Sequence, residues 1–180
     1  MKFHEDLGEN SEHLFVDLGG VSTMKAFKTG RSYCPIWDFH YGTATEAQVA
    51  LICYERWKQL WPGEIRDGYK RLITACARRY LKSEPPTEAI QKPGVIGDVI
   101  LLMTAAYDLS GDNQFLDRAD RFAELGSKRF LDLSPLPRVA AGFEHYEAIT
   151  RGDTMMMALL KLWQLQNHPE IKLRLIYTDR

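Results

Sequence analysis

Three glycine-plus-polar dipeptides recur at an even interval in this chain, and each one stands before an apolar segment. The pairs are Gly42-Thr43, Gly97-Asp98 and Gly152-Asp153, spaced 55 residues apart. Threonine and aspartate are favoured at helix starts because their side chains accept hydrogen bonds from free backbone N–H groups. Regular repeats of roughly this length are typical of stacked helical hairpins. The spacing therefore predicts a hairpin array in which alternate helices begin on one face.

Apolar residues at helical spacing predict five helices, over residues 45–60, 65–81, 96–110, 114–131 and 154–166. The first, third and fifth are predicted to lie inside the array, whereas the second and fourth alternate apolar and charged residues and are predicted to lie outside. The run Met155-Met156-Met157 is expected to pack in the core. We therefore predict an all-α fold, with an irregular N-terminal arm (1–41) and a single hairpin domain (42–180).

Composition excludes several classes of function. The 180 residues carry a net charge of -1, so no global field favours nucleic acid or an anionic membrane. No apolar run approaches the ~18 residues of a membrane span, and residues 1–18 lack the basic and apolar regions of a signal peptide. Cys34, Cys53 and Cys76 are interpreted as buried free thiols in a reducing compartment. We therefore expect a cytoplasmic protein whose partners include neither nucleic acid nor a membrane.

The segment from Ser110 to Ala119 reads Ser-Gly-Asp-Asn-Gln-Phe-Leu-Asp-Arg-Ala and joins two predicted helices. Together with Gly97-Asp98 and Gly152-Asp153, it resembles the α/α-toroid families, the six-hairpin glycosidases and polysaccharide lyases. The resemblance covers residues 42–170 and implies helical hairpins arranged around a ring that acts on carbohydrate. This chain is long enough for roughly half of such a ring. The array is then open, completed by a second chain, or part of a longer protein.

Two loops that precede alternate helices concentrate aromatic and titratable side chains. Residues 33–42 contain Trp37, Asp38, His40 and Tyr41, and residues 143–153 contain Glu144, His145, Tyr146, Glu147 and Arg151. Aromatic rings present apolar faces on which sugars stack, and charged side chains bind hydroxyl and carboxylate groups. We therefore predict a carbohydrate groove with the substrate-binding residues Trp37, Asp38, Tyr41, Glu147 and Arg151. The candidate catalytic residues are His40, Glu144, His145 and Tyr146.

Hydrolysis and elimination both stay open as reactions. A glycoside hydrolase needs two carboxyl groups, which Asp38 and a glutamate of the second loop would supply. A polysaccharide lyase needs a base, for which a histidine or Tyr146 is a candidate, and Arg151 would then bind the uronate carboxylate.

The expected partner is an oligosaccharide or a uronate-containing glycan, and no cofactor is expected. No metal site is expected either, because Asp38-x-His40 and Glu144-His145-x-Glu147 match no specific zinc spacing. Two alternatives are a non-catalytic helical-repeat scaffold that binds a protein through the same loops, and an inactive portion of a larger toroid enzyme. A homodimer would double the number of hairpins and enclose the site. Thr150 and Asp153 are alternatively interpreted as structural N-caps of the fifth helix.

Overall fold

The computed structural model describes residues 34–37, 44–87, 91–132, 135–140 and 142–173. All regular secondary structure in these residues is helical, which confirms the all-α prediction. The helices are α1 (Glu46–Gln59), α2 (Glu64–Tyr80), α3 (Pro93–Ser110), α4 (Asn113–Phe130) and α5 (Gly152–Asn167), and a short 3-10 turn (Ala148–Thr150) precedes α5. The predicted bounds hold to within about two residues, apart from the start of α3.

Helix α3 begins one turn before Gly97-Asp98, so the expectation that this pair opens the helix is wrong. Pro93 occupies the first helical position and Lys92 is the N-cap. Proline is favoured there because its missing N–H would have no partner in the first turn and its fixed φ suits a helix. Gly97 and Asp98 instead lie buried in the second turn. Of the repeated pairs, Gly152-Asp153 does stand at a helix start, and Gly42-Thr43 lies outside the described residues.

Helix α3 is the centre of the core. It contacts each of the other four helices, most extensively α4 and α5. Fifteen of its 18 residues are buried, as its apolar character on all sides predicts.

The expectation that no apolar run is long enough to cross a membrane is wrong for α3. Among the described residues, α3 alone reaches the length and composition of a membrane span, and most of it is buried inside the protein. Because neighbouring helices cover it, its apolar surface is explained by its central position in the core.

The helices alternate in direction. Turns of four residues (60–63) and two residues (111–112) join α1 to α2 and α3 to α4, so each pair is antiparallel. The Tyr54 hydroxyl donates to the Asp108 carboxylate at 2.7 Å near the C-terminal ends of α1 and α3. Arg151 and Asp98 meet near the N-terminal ends of α5 and α3. Helices α1, α3 and α5 therefore run in one direction, and their N-terminal ends share one side.

A buried ion pair closes the open end of the α1–α2 hairpin. The Glu46 carboxylate in the first turn of α1 accepts hydrogen bonds of 2.8 and 3.0 Å from Arg79 near the end of α2. The Tyr80 hydroxyl accepts from the Ala47 N–H and donates to the Ile36 carbonyl. The buried carboxylate is tolerated because it is paired. These bonds attach the segment 34–37 to the start of α1 and the end of α2.

Arg118 of α4 joins the first hairpin to the second. Its Nε–H donates to the Tyr80 carbonyl at 2.9 Å, which satisfies one of the free carbonyl groups at the end of α2. Its two terminal nitrogens donate to the Ser83 carbonyl and the Glu84 carboxylate. The guanidinium also lies over the Phe122 ring at 4.3 Å. One buried side chain thus fixes the start of the α2–α3 connection against α4.

Helices α3 and α5 approach each other so closely that only glycine fits at two positions of α3. A Cβ atom added at Gly94 would lie 2.5 Å from the Arg151 Cβ, and one added at Gly97 would lie 2.7 Å from the Met155 Cα and N atoms. Contacts this short with backbone atoms cannot be relieved by a change of rotamer. The two glycines therefore set the distance between the helices.

The replacement Gly97→Ala is expected to lower the free energy of unfolding by about 2 kcal/mol, because the new methyl group overlaps the backbone of α5. This loss is expected although alanine is favoured over glycine in a helix by about 1 kcal/mol. Gly126→Ala is the matched control, since its Cβ would meet only side-chain ends, of Ile96 and Met155, at 3.0 Å. Urea unfolding measures both variants. Equal losses would contradict the requirement for close approach at Gly97.

Candidate functional site

The loop between α4 and α5 brings four predicted site residues to the surface. These exposed residues are Glu144, His145, Tyr146 and Glu147. The Val139 N–H donates to the His145 carbonyl at 2.8 Å, which fixes the loop across its base. Gly142 turns the chain with a φ of 84°, a left-handed conformation that favours glycine. The loop therefore has a defined shape.

His145 and Glu147 form an exposed hydrogen-bonded pair. The distance from His145 Nε2 to Glu147 Oε1 is 3.0 Å, and the Phe143 ring stands edge-on to the imidazole at 6.4 Å between centroids. A histidine held by a carboxylate is a common arrangement of general bases. Both side chains are about half exposed, whereas catalytic groups usually act inside a water-excluding site. The pair offers hydrogen bonds to a ligand that lies on the surface.

Tyr146 packs against the start of α5. A Cβ atom added at Gly152 would lie 3.1 Å from both the Tyr146 ring and the Pro137 Cβ. Glycine at position 152 therefore makes room for the ring, while the rest of Tyr146 stays exposed. The tyrosine both supports the loop and presents an aromatic surface.

Arg151 is engaged by α3 rather than by the loop. Its guanidinium donates two hydrogen bonds, of 2.7 and 2.8 Å, to the two carboxylate oxygens of Asp98. Asp98 is buried, and a bidentate pair of this kind is the strongest geometry available to an arginine. The N–H groups that face Asp98 are therefore not offered to a uronate carboxylate.

The expectation that Thr150 or Asp153 caps α5 is wrong. Arg151 occupies the N-cap position in a left-handed conformation, with a φ of 59°. The Thr150 hydroxyl donates to the Glu147 carbonyl, and the Asp153 carboxylate accepts from the Thr154 N–H within the first turn. The bond to Asp98 helps to hold Arg151 in a conformation that costs a residue other than glycine about 1 kcal/mol.

Trp37 packs between α2 and α4. Its indole N–H donates to the Ser83 hydroxyl at 2.6 Å. Its ring lies edge-on to Tyr80, at 5.1 Å between centroids, and 5.5 Å from Phe122. This ring stabilises the core instead of offering a free stacking face. Asp38, His40 and Tyr41 lie outside the described residues, so their predicted roles stay predictions.

A surface feature that the sequence prediction missed is an exposed apolar stripe on α5. We call it the outer face of α5, and it consists of Met156, Met157, Leu160 and Trp163, which are 39, 41, 44 and 51% exposed. The expectation that the methionine run packs in the core is correct for Met155 and wrong for the other two. Buried Met155 lies on the opposite face of the helix with Ala158 and Leu162.

The spacing of these residues was visible in the sequence. Met156, Leu160 and Trp163 stand at i, i+4 and i+7, which places them along one side of a helix. What the sequence does not reveal is which sides of α5 the other helices cover. Helix α3 covers the Met155 side, and α4 makes a smaller contact with α5.

The three cysteines of the chain are all buried and none forms a disulfide, as predicted. Burial raises the pKa of the Cys53 thiol to about 11 and the pKa of Cys76 well above its usual range. Protonated, buried thiols are poor nucleophiles, so these two cysteines are packing residues.

Metal ligation has no structural basis in the part of the chain described here. No three His, Cys, Asp or Glu side chains come together within those residues in a way that would hold a metal ion.

No protein-family model, curated protein or solved structure matches this chain. The resemblance to the α/α toroids therefore remains a prediction, and the functional argument rests on the geometry of the loop and of α5.

The replacement Asp98→Asn is expected to lower the free energy of unfolding by about 3 kcal/mol, because it leaves the Arg151 guanidinium without its counter-charge beside the core. Asp117→Asn on the exposed side of α4 is the matched control and is expected to change it by about 0.5 kcal/mol or less. Urea unfolding at neutral pH measures both. An Asp98→Asn variant that unfolds at the wild-type midpoint would show that the pair is dispensable.

Proposed function

We propose that this chain is a non-catalytic helical-hairpin scaffold that binds an amphipathic helix of a protein partner along the outer face of α5. The observation that carries the proposal is the row of four apolar side chains, each about half exposed, on a helix whose opposite face lies in the core. Exposed apolar patches of this kind commonly mark interaction surfaces.

The two edge helices of the array, α1 and α5, differ in the polarity of their outward faces, and this difference supports the proposal. Stacked repeats need polar outer faces on their terminal units in order to stay soluble. On α1, the outward stripe Ile52, Arg56 and Gln59 is mostly polar. On α5, the corresponding stripe is apolar from Met156 to Trp163, with exposed Asp153 and Asn167 at its two ends. The α1 edge is suited to solvent, and the α5 edge is suited to a partner.

The chemistry of the outer face favours a helical partner. An amphipathic helix inserts side chains at i, i+3, i+4 and i+7 against a complementary apolar stripe. Met156 and Met157 have flexible, polarizable side chains that adapt to the shape of a partner. Trp163 provides the large aromatic surface that often dominates the binding energy of such interfaces.

The α/α-toroid-like arrangement belongs to the same proposal. Its support is that α1, α3 and α5 run in one direction while α2 and α4 run against them. In such a ring, the next inner helix would pack beside α5. If the chain is an open half-ring or a portion of a larger toroid enzyme, a further helix would therefore pack against the outer face of α5.

A photo-crosslinking amino acid placed at position 160 tests the proposal in cells that make the full chain. We expect one discrete crosslinked species whose partner peptide, identified by mass spectrometry, comes from an amphipathic helix. In the same protein, Met156→Lys is expected to reduce the yield of this crosslinked species about tenfold, because a lysine charge would be buried in the interface. The probe at position 124, on the exposed polar side of α4, is the control. The proposal would be contradicted if the probe at position 160 gave no crosslinked species, or if both positions gave the same one.

Glycan binding is a second candidate function, and one observation favours it. The partly exposed rings of Phe143 and Tyr146 stand beside the His145–Glu147 pair on one loop. Aromatic faces beside hydrogen-bonding groups suit an oligosaccharide or a uronate-containing glycan. Hydrolysis or elimination at this loop would use Glu144 or His145 as the acid or base.

Titration of the protein with uronate oligosaccharides tests the second candidate, with tryptophan fluorescence and melting temperature as readouts. Phe143→Ala is expected to abolish binding with little loss of stability, because the residue is about half exposed. Trp61→Ala removes another exposed aromatic ring, on the α1–α2 turn, and is expected to bind normally. If no oligosaccharide changes either readout in the wild-type protein, this candidate is wrong.

A further inference from the structure

We infer that the helix which covers the outer face of α5 is α5 of a second copy of this chain, packed antiparallel about a twofold axis at Leu160. This inference rests on the proposed function and names its partner. The stripe has Leu160 at its centre, two methionines on the N-terminal side and a tryptophan on the C-terminal side. A surface with this order is complementary to itself when one copy is turned end to end.

The antiparallel register pairs unlike side chains. With Leu160 on the axis, Met157 lies opposite Trp163 of the second copy, and the reverse contact forms by symmetry. Sulfur–aromatic contacts of this kind are favourable, and a flexible methionine fills the irregular space beside an indole. A parallel pair would instead place each residue against its own kind.

Charge favours the same direction. Asp153 is exposed in the first turn of α5, and exposed His168 and Lys172 follow the last turn. A parallel pair would set Asp153 beside Asp153 of the second copy, where like charges repel. An antiparallel pair removes this repulsion, because the other end carries one charge of each sign, on Glu170 and Lys172, and His168 lies 3.3 Å from Glu170. The helix dipoles of an antiparallel pair also attract each other.

Stacking of α5 on the α1 edge of another copy is disfavoured by the outward residues of α1. That contact would bury the Arg56 charge and the Gln59 amide against methionine and leucine side chains, with no partner for either polar group. Unless such a head-to-tail assembly closed into a ring, it would also leave a free α5 edge at one end. Pairing of α5 with α5 covers both apolar faces at once and closes the assembly as a dimer.

The exposed area is consistent with a weak dimer. The four side chains expose roughly 400 Å² per copy, so the pair removes about 800 Å² of apolar area, and flanking polar groups bring the interface close to the ~1,000 Å² of specific contacts. We therefore expect a dimer with micromolar affinity that dissociates on dilution.

Sedimentation equilibrium of the full wild-type chain over a wide concentration range is the first test. A concentration-dependent monomer–dimer equilibrium is expected. Leu160→Glu sets two carboxylates together on the axis and is expected to weaken self-association at least about tenfold. Lys70→Glu, on an exposed part of α2, is the matched control and is expected to dimerise like the wild type. A wild-type protein that stays monomeric at every concentration would overturn the inference, whatever the variants do.

Crosslinking tests the direction of the pair. Leu160→Cys is expected to form a covalent dimer with a short bismaleimide reagent, because the two positions meet at the axis. Asp153→Cys is expected to remain monomeric, since the two copies of position 153 would be about 20 Å apart along the helix pair. The native cysteines are buried, which limits background reaction. Covalent dimers from both variants would indicate parallel packing and would overturn the register.

The two proposals fail separately. A monomeric purified protein, together with a crosslinked helix of a different protein at position 160 in cells, would reject the dimer and retain the scaffold. A crosslinked species with twice the mass of the chain would support the dimer. The absence of both self-association and any crosslinked species would reject the two together.

Discussion

The close approach of α3 and α5 fixes the position of α5 on the core. Gly94 and Gly97 remove the side chains that would separate the two backbones. The bidentate bond between Asp98 and Arg151 then sets the rotation of α5 about its own axis. Because Met155 is held against α3, the residues that follow it must turn outward. The apolar outer face of α5 is therefore a direct result of how the helix is attached.

Several residue types that suggest ligand binding are used here to hold helices together. Trp37 lies against two aromatic rings of the core, and Arg151 is bound to a buried carboxylate. Aromatic and guanidinium groups suit both purposes, since both combine a large contact area with directional hydrogen bonds. The His145–Glu147 pair, in contrast, lies exposed on the surface loop. The buried residues hold the helices together, and the loop presents its polar groups at the surface.

The sequence predicts where the helices lie along the chain, but it does not predict which neighbours cover each face of a helix. Periodic apolar residues predict five helices, and the apolar character of α3 on all sides predicts its central place. The glycine-plus-aspartate pattern places the start of α3 too late, because Pro93 is the stronger helix-start signal there. The exposure of Met156 and Met157 was missed because periodicity identifies a face without showing which neighbour covers it. The pairing of Arg151 with Asp98 spans 53 residues, and no local pattern reports such a contact.

The position of Arg118 has a consequence for how this protein unfolds. Its side chain belongs to the second hairpin, yet its hydrogen bonds end on the last carbonyl of α2 and on the connection that follows. If either hairpin opened alone, a guanidinium and two backbone carbonyls would lose their partners together. Partial opening is therefore costly at this point, and we expect the two hairpins to unfold as one cooperative unit instead of separating like independent repeats.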